Sequence, residues 1–343
     1  MQRRRRYQPI MQHSNILGIE SSCDDTAAAI WQNGKILANI TAGQSVHEQY
    51  GGVVPELASR AHQSHILPVV DQALKTAGIS LSELNAIAYT RGPGLMGSLH
   101  VGGNFAKGLA MSLNIPLLGV NHLQAHVAAL FIDNPSPAFP LLCLLVSGGH
   151  TQLLLVSDYN TMEIVGSTID DAAGEAFDKA AKLLGLPYPG GPLVDKYAKT
   201  GNDKAFPFPE GKVAGLDFSF SGIKTSLLYF LRNQSKEQPD FAEKHLADIC
   251  ASYQKTVVDV LLKKLNLAIA THKPASIGLA GGVSANSRLR ADFLTLAESH
   301  ALPAYIPAFE YCTDNAAMIA TAGSYLLQKG ETTDIAALPF TRA

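Results

Sequence analysis

The sequence predicts an α/β protein of two lobes, each a mixed sheet covered by helices, on three observations. "ILGIESSCDDTAAAIWQNGKILANI" (16–40) reads as strand, acidic turn, strand, turn, strand, with Asn33-Gly34 a strong hairpin signal. The same pattern returns at 141–168 in "LLCLLVSGGHTQLLLVSDYNTMEIVGST", now around a Ser-Gly-Gly-His-Thr turn. After each opening, helical and strand patterns alternate, as in a mixed sheet with helices on its faces. "NPSPAFP" (134–140) separates the halves and reads as a linker. The expected organisation is a disordered basic extension at 1–14, an N-terminal lobe at 15–136 and a C-terminal lobe at 137–314, with a last helix at 315–330 able to pack back on the first lobe. Duplicated lobes would leave a central cleft, a common place for ligands.

In the first half, Gly51 to Pro55 form a loop and "PELASRAHQSHILPVVDQALKTAG" a helix ending at Gly78. "AIAYTRGPGL" is a strand running into a Gly/Pro loop. "GLMGSLHVGGNFAKGLAMSLN" is a helix whose small residues suit close packing, within the core or at an interface. "PLLGVNHLQAHVAALF" is a short strand and a helix. In the second half, "DDAAGEAFDKAAKLLGL" is a helix with Ala173, Phe177, Ala180 and Leu184 as its buried stripe. "FPFPEGKVAGLDFSFSGIKTSLLYFL" reads as a loop region, and "HLADICASYQKTVVDVLLKKLNLAIATH" as a long helix. "ASIGLAGGVSANSRLRADFLTLAESH" is strand, Gly loop and helix, and "PAYIPAFEYCTDNAAMIATAGSYLLQKG" a strand and a final helix.

Composition excludes several classes. With 47% apolar and 16% charged residues and a net charge of −2, the chain has material for large cores but no global basic field. Cys23, Cys143, Cys250 and Cys312 are far apart and read as reduced thiols of a cytoplasmic protein. No stretch is apolar enough for a membrane span. The basic start, "MQRRRRYQPIMQHSN", lacks the apolar region of a secretion signal.

Four features can carry chemistry. The Gly148-Gly149 turn exposes backbone N–H groups that a phosphate can approach, and the turn holding Asp24 and Asp25 can supply a general base. "GLAGGVSANSRLR" (278–290) places glycines before a helix start, where a ligand oxygen can sit. Asp178, on the polar face of its helix, can accept from a sugar hydroxyl. His122 and His126 are one helical turn apart in "NHLQAH", without the glutamate of a metallopeptidase motif. With Asp314 as third ligand they would suit zinc or iron. Asp314 alone would be an ordinary helix-start acid, and His47, His62, His65, His100 and His150 are rival ligands.

"GIESSCDDTAAAI", "GGVVPELASRAH", "TRGPGLMGSLHVG", "NHLQAH", "LLVSGGHTQL", "DDAAGEAFDKAAKLLGLPYPGGP", "FSFSGIKT", "GGVSANSRLR" and "YCTDNAAMIA", in this order over residues 16 to 330, together resemble the TsaD family. These are tRNA adenosine threonylcarbamoyltransferases, once called glycoproteases or O-sialoglycoprotein endopeptidases. The resemblance implies an actin-like, sugar-kinase-like (ASKHA) fold. It also implies transfer of threonylcarbamoyl from its adenylate to adenosine 37 of tRNAs reading codons that begin with A. It assigns one divalent metal ion per subunit, Fe2+ or Zn2+, to His122, His126 and Asp314. Substrate contacts fall on Leu145, Val146, Ser147, Gly148, Gly149, Asp178, Gly191, Asp195 and Asn286, and catalytic acids on Asp24 and Asp25, where many relatives carry Asp-Glu. Candidate RNA-phosphate contacts are Arg60, Arg91, Lys107, Lys179, Lys182 and Arg288. A TsaB-like paralogue and a TsaE-like ATPase are the implied partners, with no membrane. The rival activities are a metallopeptidase, as the older name suggests, and a small-molecule kinase of the same fold.

Overall fold

The computed structural model describes residues 14–43, 47, 50, 52–134, 136–211 and 213–342. The expected basic extension therefore lies, except for Ser14, outside the described residues. In chain order the elements begin with β1 (Asn15–Glu20), β2 (Thr26–Gln32), β3 (Lys35–Ala42), α1 (Pro55–Ala77), β4 (Ala86–Gly92), α2 (Met96–Leu113), β5 (Leu117–Asn121) and α3 (His122–Ala128). They continue with β6 (Leu141–Val146), β7 (Thr151–Asp158), β8 (Thr161–Ser167), α4 (Ala173–Leu183), α5 (Gly191–Ala198), α6 (Ser221–Glu237) and α7 (Phe241–Lys244). The last are α8 (Leu246–His272), β9 (Ser276–Ala280), α9 (Ser287–Ser299), β10 (Ala304–Tyr305) and α10 (Ala316–Gln328). They form two compact units. The first takes the described residues within Met1–Val46, Val53–Ser136 and Asp314–Ala343, the second those within His47–Gly52 and Pro137–Thr313.

The first unit is built on a sheet of order β3-β2-β1-β4-β5. β1, β2 and β3 are antiparallel, while β4 and β5 add in parallel. Asn33 and Gly34 both take positive φ, as a tight hairpin turn between β2 and β3 requires. β1 is buried along its whole length because both sheet faces are covered. Leu17 and Ile19 join Ile66, Val69 and Val70 of α1 and Ala106 of α2 in one apolar cluster. Gly18 points the other way, onto α10. A Cβ there would sit 2.4 Å from the Ala316 carbonyl oxygen and 2.8 Å from the Ala320 nitrogen. That close approach seats the helix following Asp314. Gly18→Ala is expected to destabilise the protein by about 1–3 kcal/mol through overpacking, read as a lowered melting temperature. The small residues of α2 serve internal packing at Gly97, against Ser59, and at Gly102, against Ser21, whereas Gly108 faces open space.

The second unit repeats the plan with order β8-β7-β6-β9-β10, again three antiparallel strands with two added in parallel. Its core joins Leu142, Leu144 and Val146 to Phe177, Tyr253 and Phe293. The stretch from 221, read above as loop, is the helix α6. Its start is capped by Asp170, whose Oδ1 accepts from Phe220 N at 2.8 Å across 50 positions of sequence. No local cap announces this helix. The predicted helix at 170–186 is shorter, because Asp170 and Asp171 lie outside α4 and hold Ser219 and Lys224.

Candidate active site

α3 starts where β5 ends, and the junction residue Asn121 caps it by accepting from Leu123 N at 2.9 Å and Gln124 N at 3.2 Å. The helix thereby presents His122 and His126 edge to face, with ring centroids 4.7 Å apart. Asp314 meets both: its Oδ1 lies 3.4 Å from His122 Nε2 and 3.2 Å from His126 Nε2. Asn315, not Asp314, caps α10 by accepting from Met318 N. Asp314 is thus not the helix cap it could have been on sequence. One ligating atom from each of the three residues falls within 4.8 Å of the others, the one such group among the described residues. Of the rival histidines, His62 is used elsewhere: its ring meets Thr26 Oγ1 at 2.7 Å and the Cys23 carbonyl at 3.0 Å.

A metal fits this donor set. Both ring nitrogens of His126 are buried without a hydrogen-bond partner, since Asp314 is near but not in hydrogen-bond geometry. A buried imidazole left in this way is costly unless something takes its lone pair. Without an ion, charge is balanced within the group. Burial alone would raise the pKa of Asp314, but His122 and His126 outweigh it and hold the carboxyl well below its usual range. Burial would lower His122, but Asp314 and Glu20 raise it well above an ordinary histidine.

Asp24 and Asp25 lie in the turn between β1 and β2, both partly buried. Burial first, then the charges of Asp24, Asp314 and Glu20, push Asp25 up to about 7. The turn is held from below: Leu95 N donates to Ser22 O at 2.8 Å and Ser98 Oγ to Cys23 O at 3.2 Å. The Cys23 thiol is pushed up by burial and by the same acids, so it is no nucleophile at neutral pH.

In the second unit, Ser147 to His150 close the turn between β6 and β7, with Ser147 N donating to His150 O at 2.8 Å. Gly148 and Gly149 face open space. Leu145 and Val146 are fully buried, so only their backbone can serve a ligand. Two glycines press against this segment. A Cβ at Gly174 would meet Ser147 O at 2.5 Å, and one at Gly281, with φ +86°, would meet Val146 O at 2.4 Å. Gly281→Ala combines backbone strain with a clash, and is expected to destabilise by about 2–4 kcal/mol in denaturant titration. Asp178 Oδ1 accepts from Gly190 N at 2.9 Å and Gly191 N at 3.0 Å. Asp195 Oδ1 accepts from Ser287 Oγ at 2.7 Å, and Asn286 Oδ1 from Leu289 N at 3.0 Å. These predicted contacts therefore also hold the starts of α5 and α9.

The model of the TsaD family, tRNA N6-adenosine threonylcarbamoyltransferase, matches residues 35–321. The chain belongs to the TsaD family. It is 58% identical over 326 residues to the tRNA N6-adenosine threonylcarbamoyltransferase of Christiangramia forsetii, covering 94% of this chain and 96% of that one. To the protein of the same name from Porphyromonas gingivalis it is 58% identical over 332 residues, covering 95% and 97%. Among solved structures, HypF of T. kodakarensis aligns with a TM-score of 0.60 at 16% identity, over 93% of this chain and 48% of that one. That likeness speaks for the fold alone. As a TsaD-family protein, the chain is a threonylcarbamoyl transferase, and its α/β fold is shared with HypF.

Within this TsaD chain most candidate RNA contacts already have partners. Arg91 Nε donates to Leu338 O at 2.9 Å and Lys107 Nζ to Ala337 O at 2.6 Å, pinning the C-terminal tail. Lys179 pairs with Asp171 and Glu175, Arg288 with Asp203 and Asp292, and Arg60 with Glu56. Lys182 is exposed. Sequence reasoning missed Glu20, which is fully buried with Oε2 3.1 Å from His122 Nδ1. Its signal was a lone carboxylate ending an otherwise buried strand.

Proposed function

We propose that this TsaD-family chain transfers threonylcarbamoyl from threonylcarbamoyl-adenylate to N6 of adenosine 37 in tRNAs reading codons that begin with A. The observation that carries the reading is the convergence of His122, His126 and Asp314 in the unit that also bears the acidic turn, where Asp25 is poised near neutrality. In the reaction, the N6 amine attacks the carbamoyl carbon, the bond to the phosphate oxygen breaks, and AMP leaves. The amine is a weak nucleophile because its lone pair is conjugated with the ring, so the two partners must be held in line. Asp25, or its neighbour Asp24, takes the amine proton. The Gly148-Gly149 turn offers backbone N–H groups to a phosphate, and Asp178 and Asn286 are the candidate acceptors for sugar hydroxyls. His122, His126 and Asp314 would hold one divalent ion, Fe2+ or Zn2+, which when bound supplies Lewis-acid polarisation of a donor oxygen.

The peptidase alternative draws no support from the carboxylate that contacts the histidine pair. The carboxylate nearest the histidine pair outside the ligand set is Glu20, and both its oxygens are occupied by Ser22, Thr90 and His122. It is fully buried and three donors already hold it, so it is poorly placed to activate a substrate water. An apolar groove of about 460 Å³ between α1 and α2, lined by Leu67, Leu74, Leu81, Phe105 and Leu109, supports docking of a TsaB-like paralogue on the first unit. A TsaE-like ATPase completes the proposed set. The four cysteines are free thiols, which accords with a reducing compartment such as the cytoplasm. Nucleoside analysis of tRNA treated with the full mixture tests the reading. Threonylcarbamoyl-adenosine is expected in tRNA with adenosine at position 37 and absent when guanosine replaces it; equal modification of both would contradict the assignment.

A further inference from the structure

Glu20 ends β1 with its carboxylate fully buried, and the transfer steps give it no task. A buried carboxylate costs several kcal/mol unless its lone pairs are met. Here three donors from three elements meet most of them. Ser22 N, in the acidic turn, donates to Oε1; Thr90 Oγ1, on β4, donates to Oε2 at 2.6 Å; and His122 Nδ1, on α3, faces Oε2 at 3.1 Å. The direction of the last bond is decided by chemistry. An ionised carboxylate only accepts, so the hydrogen must sit on Nδ1. The Ser22 hydroxyl, 3.3 Å from the same nitrogen, can rotate to suit either state and decides nothing. With Nδ1 held protonated, Nε2 is the nitrogen that gives up its proton to bind a metal, and it faces Asp314 Oδ1 at 3.4 Å. His126 lacks any such anchor, because neither of its ring nitrogens has a hydrogen-bond partner.

We infer that Glu20 is a positioning residue of the metal site: it fixes His122 in the Nδ1–H tautomer, so that Nε2 is the ligating atom, and ties that ligand to the acidic turn through Ser22. The inference rests on the metal reading of His122, His126 and Asp314. His122 is then the pre-organised ligand and His126 the one that the ion itself orients. A carboxylate behind a metal-ligating imidazole raises its basicity and holds its plane, and loss of such a partner costs about 10–100-fold in metal affinity. Thr90 in turn holds the carboxylate rotamer.

The test uses the full chain with zinc alone, in competition with a chromophoric chelator, together with imidazole 15N spectra of the zinc-loaded protein. The wild type is expected to show His122 with Nδ1 protonated and Nε2 bound to zinc. Glu20→Gln keeps one acceptor and should weaken zinc about 10-fold while retaining that tautomer. Glu20→Leu should weaken it up to about 100-fold and lose the single tautomer. Thr90→Val leaves the carboxylate in place and should show a smaller loss, which keeps the test decisive if the leucine variant fails to fold. A merely structural Glu20 would lower the melting temperature without changing zinc affinity or the imidazole spectrum, and that result overturns the inference. Zinc bound through Nδ1 of His122 also overturns it. A wild-type chain that takes up no zinc overturns the metal reading itself, and the inference with it.

Discussion

His126→Ala is expected to abolish stable metal binding and to lower threonylcarbamoyl transfer by about 10³-fold or more, with the fold retained. The physical basis is an asymmetry between the two histidines. His122 is bonded to Glu20 and contributes to local structure, so its replacement disturbs more than the ligand set. His126 is 1% exposed, yet neither of its nitrogens makes a hydrogen bond. Truncating it breaks no hydrogen bond; the cavity it leaves, worth about 2–4 kcal/mol, is partly offset by removing two buried ring nitrogens that have no partner. It does remove one of three ligands. Charge stabilisation of several kcal/mol depends on that set, and each 1.36 kcal/mol is about tenfold in rate. Metal content after gel filtration and single-turnover transfer, measured on the same preparation, check both halves. A folded variant without metal that still transfers at the wild-type rate would remove the ligand set from the mechanism.

Asp25→Asn is expected to lower transfer by about 10²–10⁴-fold while making the metal-free protein more stable at neutral pH. The two effects have one cause. Burial and the neighbouring charges of Asp24, Asp314 and Glu20 push Asp25 up to about 7 from its ordinary 3.8. The folded chain thus binds this proton more tightly than the unfolded chain. Its contribution favours folding fully below pH about 4, is lost as pH rises toward 7, and becomes a cost once the carboxylate is charged in place. Asparagine removes that cost, a gain on the order of 1–2 kcal/mol at pH 8 after allowance for partial exposure. A base must be deprotonated to act, so in wild type the rate falls as pH drops through the Asp25 value. Asp24→Asn removes one of the charges that raise it and should move this acid limb to lower pH. Unfolding titrations at pH 5 and pH 8 and a single-turnover pH profile check the pair. An acid limb unmoved by Asp24→Asn would detach it from Asp25.

Much of this was legible because the signals are local. Both hairpin openings, the end of α1 at Gly78 and the α3 histidine pair are written in contiguous residues. Features that depend on distant residues were hidden. The helix from Ser221 is capped by Asp170, fifty positions away, so its start reads as loop. The close seat of α10 depends on Gly18, three hundred residues upstream, which looks like any strand residue. The residues offered Asp314 as a third ligand but did not single it out, since nothing near it in sequence distinguishes a ligand from a helix cap; the structure gives the capping to Asn315. Glu20 was passed over because its meaning lies in three partners from three elements. The charges proposed for RNA carry a related ambiguity. A lysine or arginine carries no mark of whether an internal carbonyl already holds it, as the tail holds Arg91 and Lys107.

The central claim is tested most directly by single-turnover transfer of labelled threonylcarbamoyl from its adenylate to a tRNA whose anticodon ends in U. The assay uses this chain with its TsaB-like and TsaE-like partners, before and after removal of divalent metal. Label is expected on adenosine 37 with the metal-loaded chain, and is lost on chelation or in His126→Ala. No label from the complete, metal-loaded mixture would contradict the account.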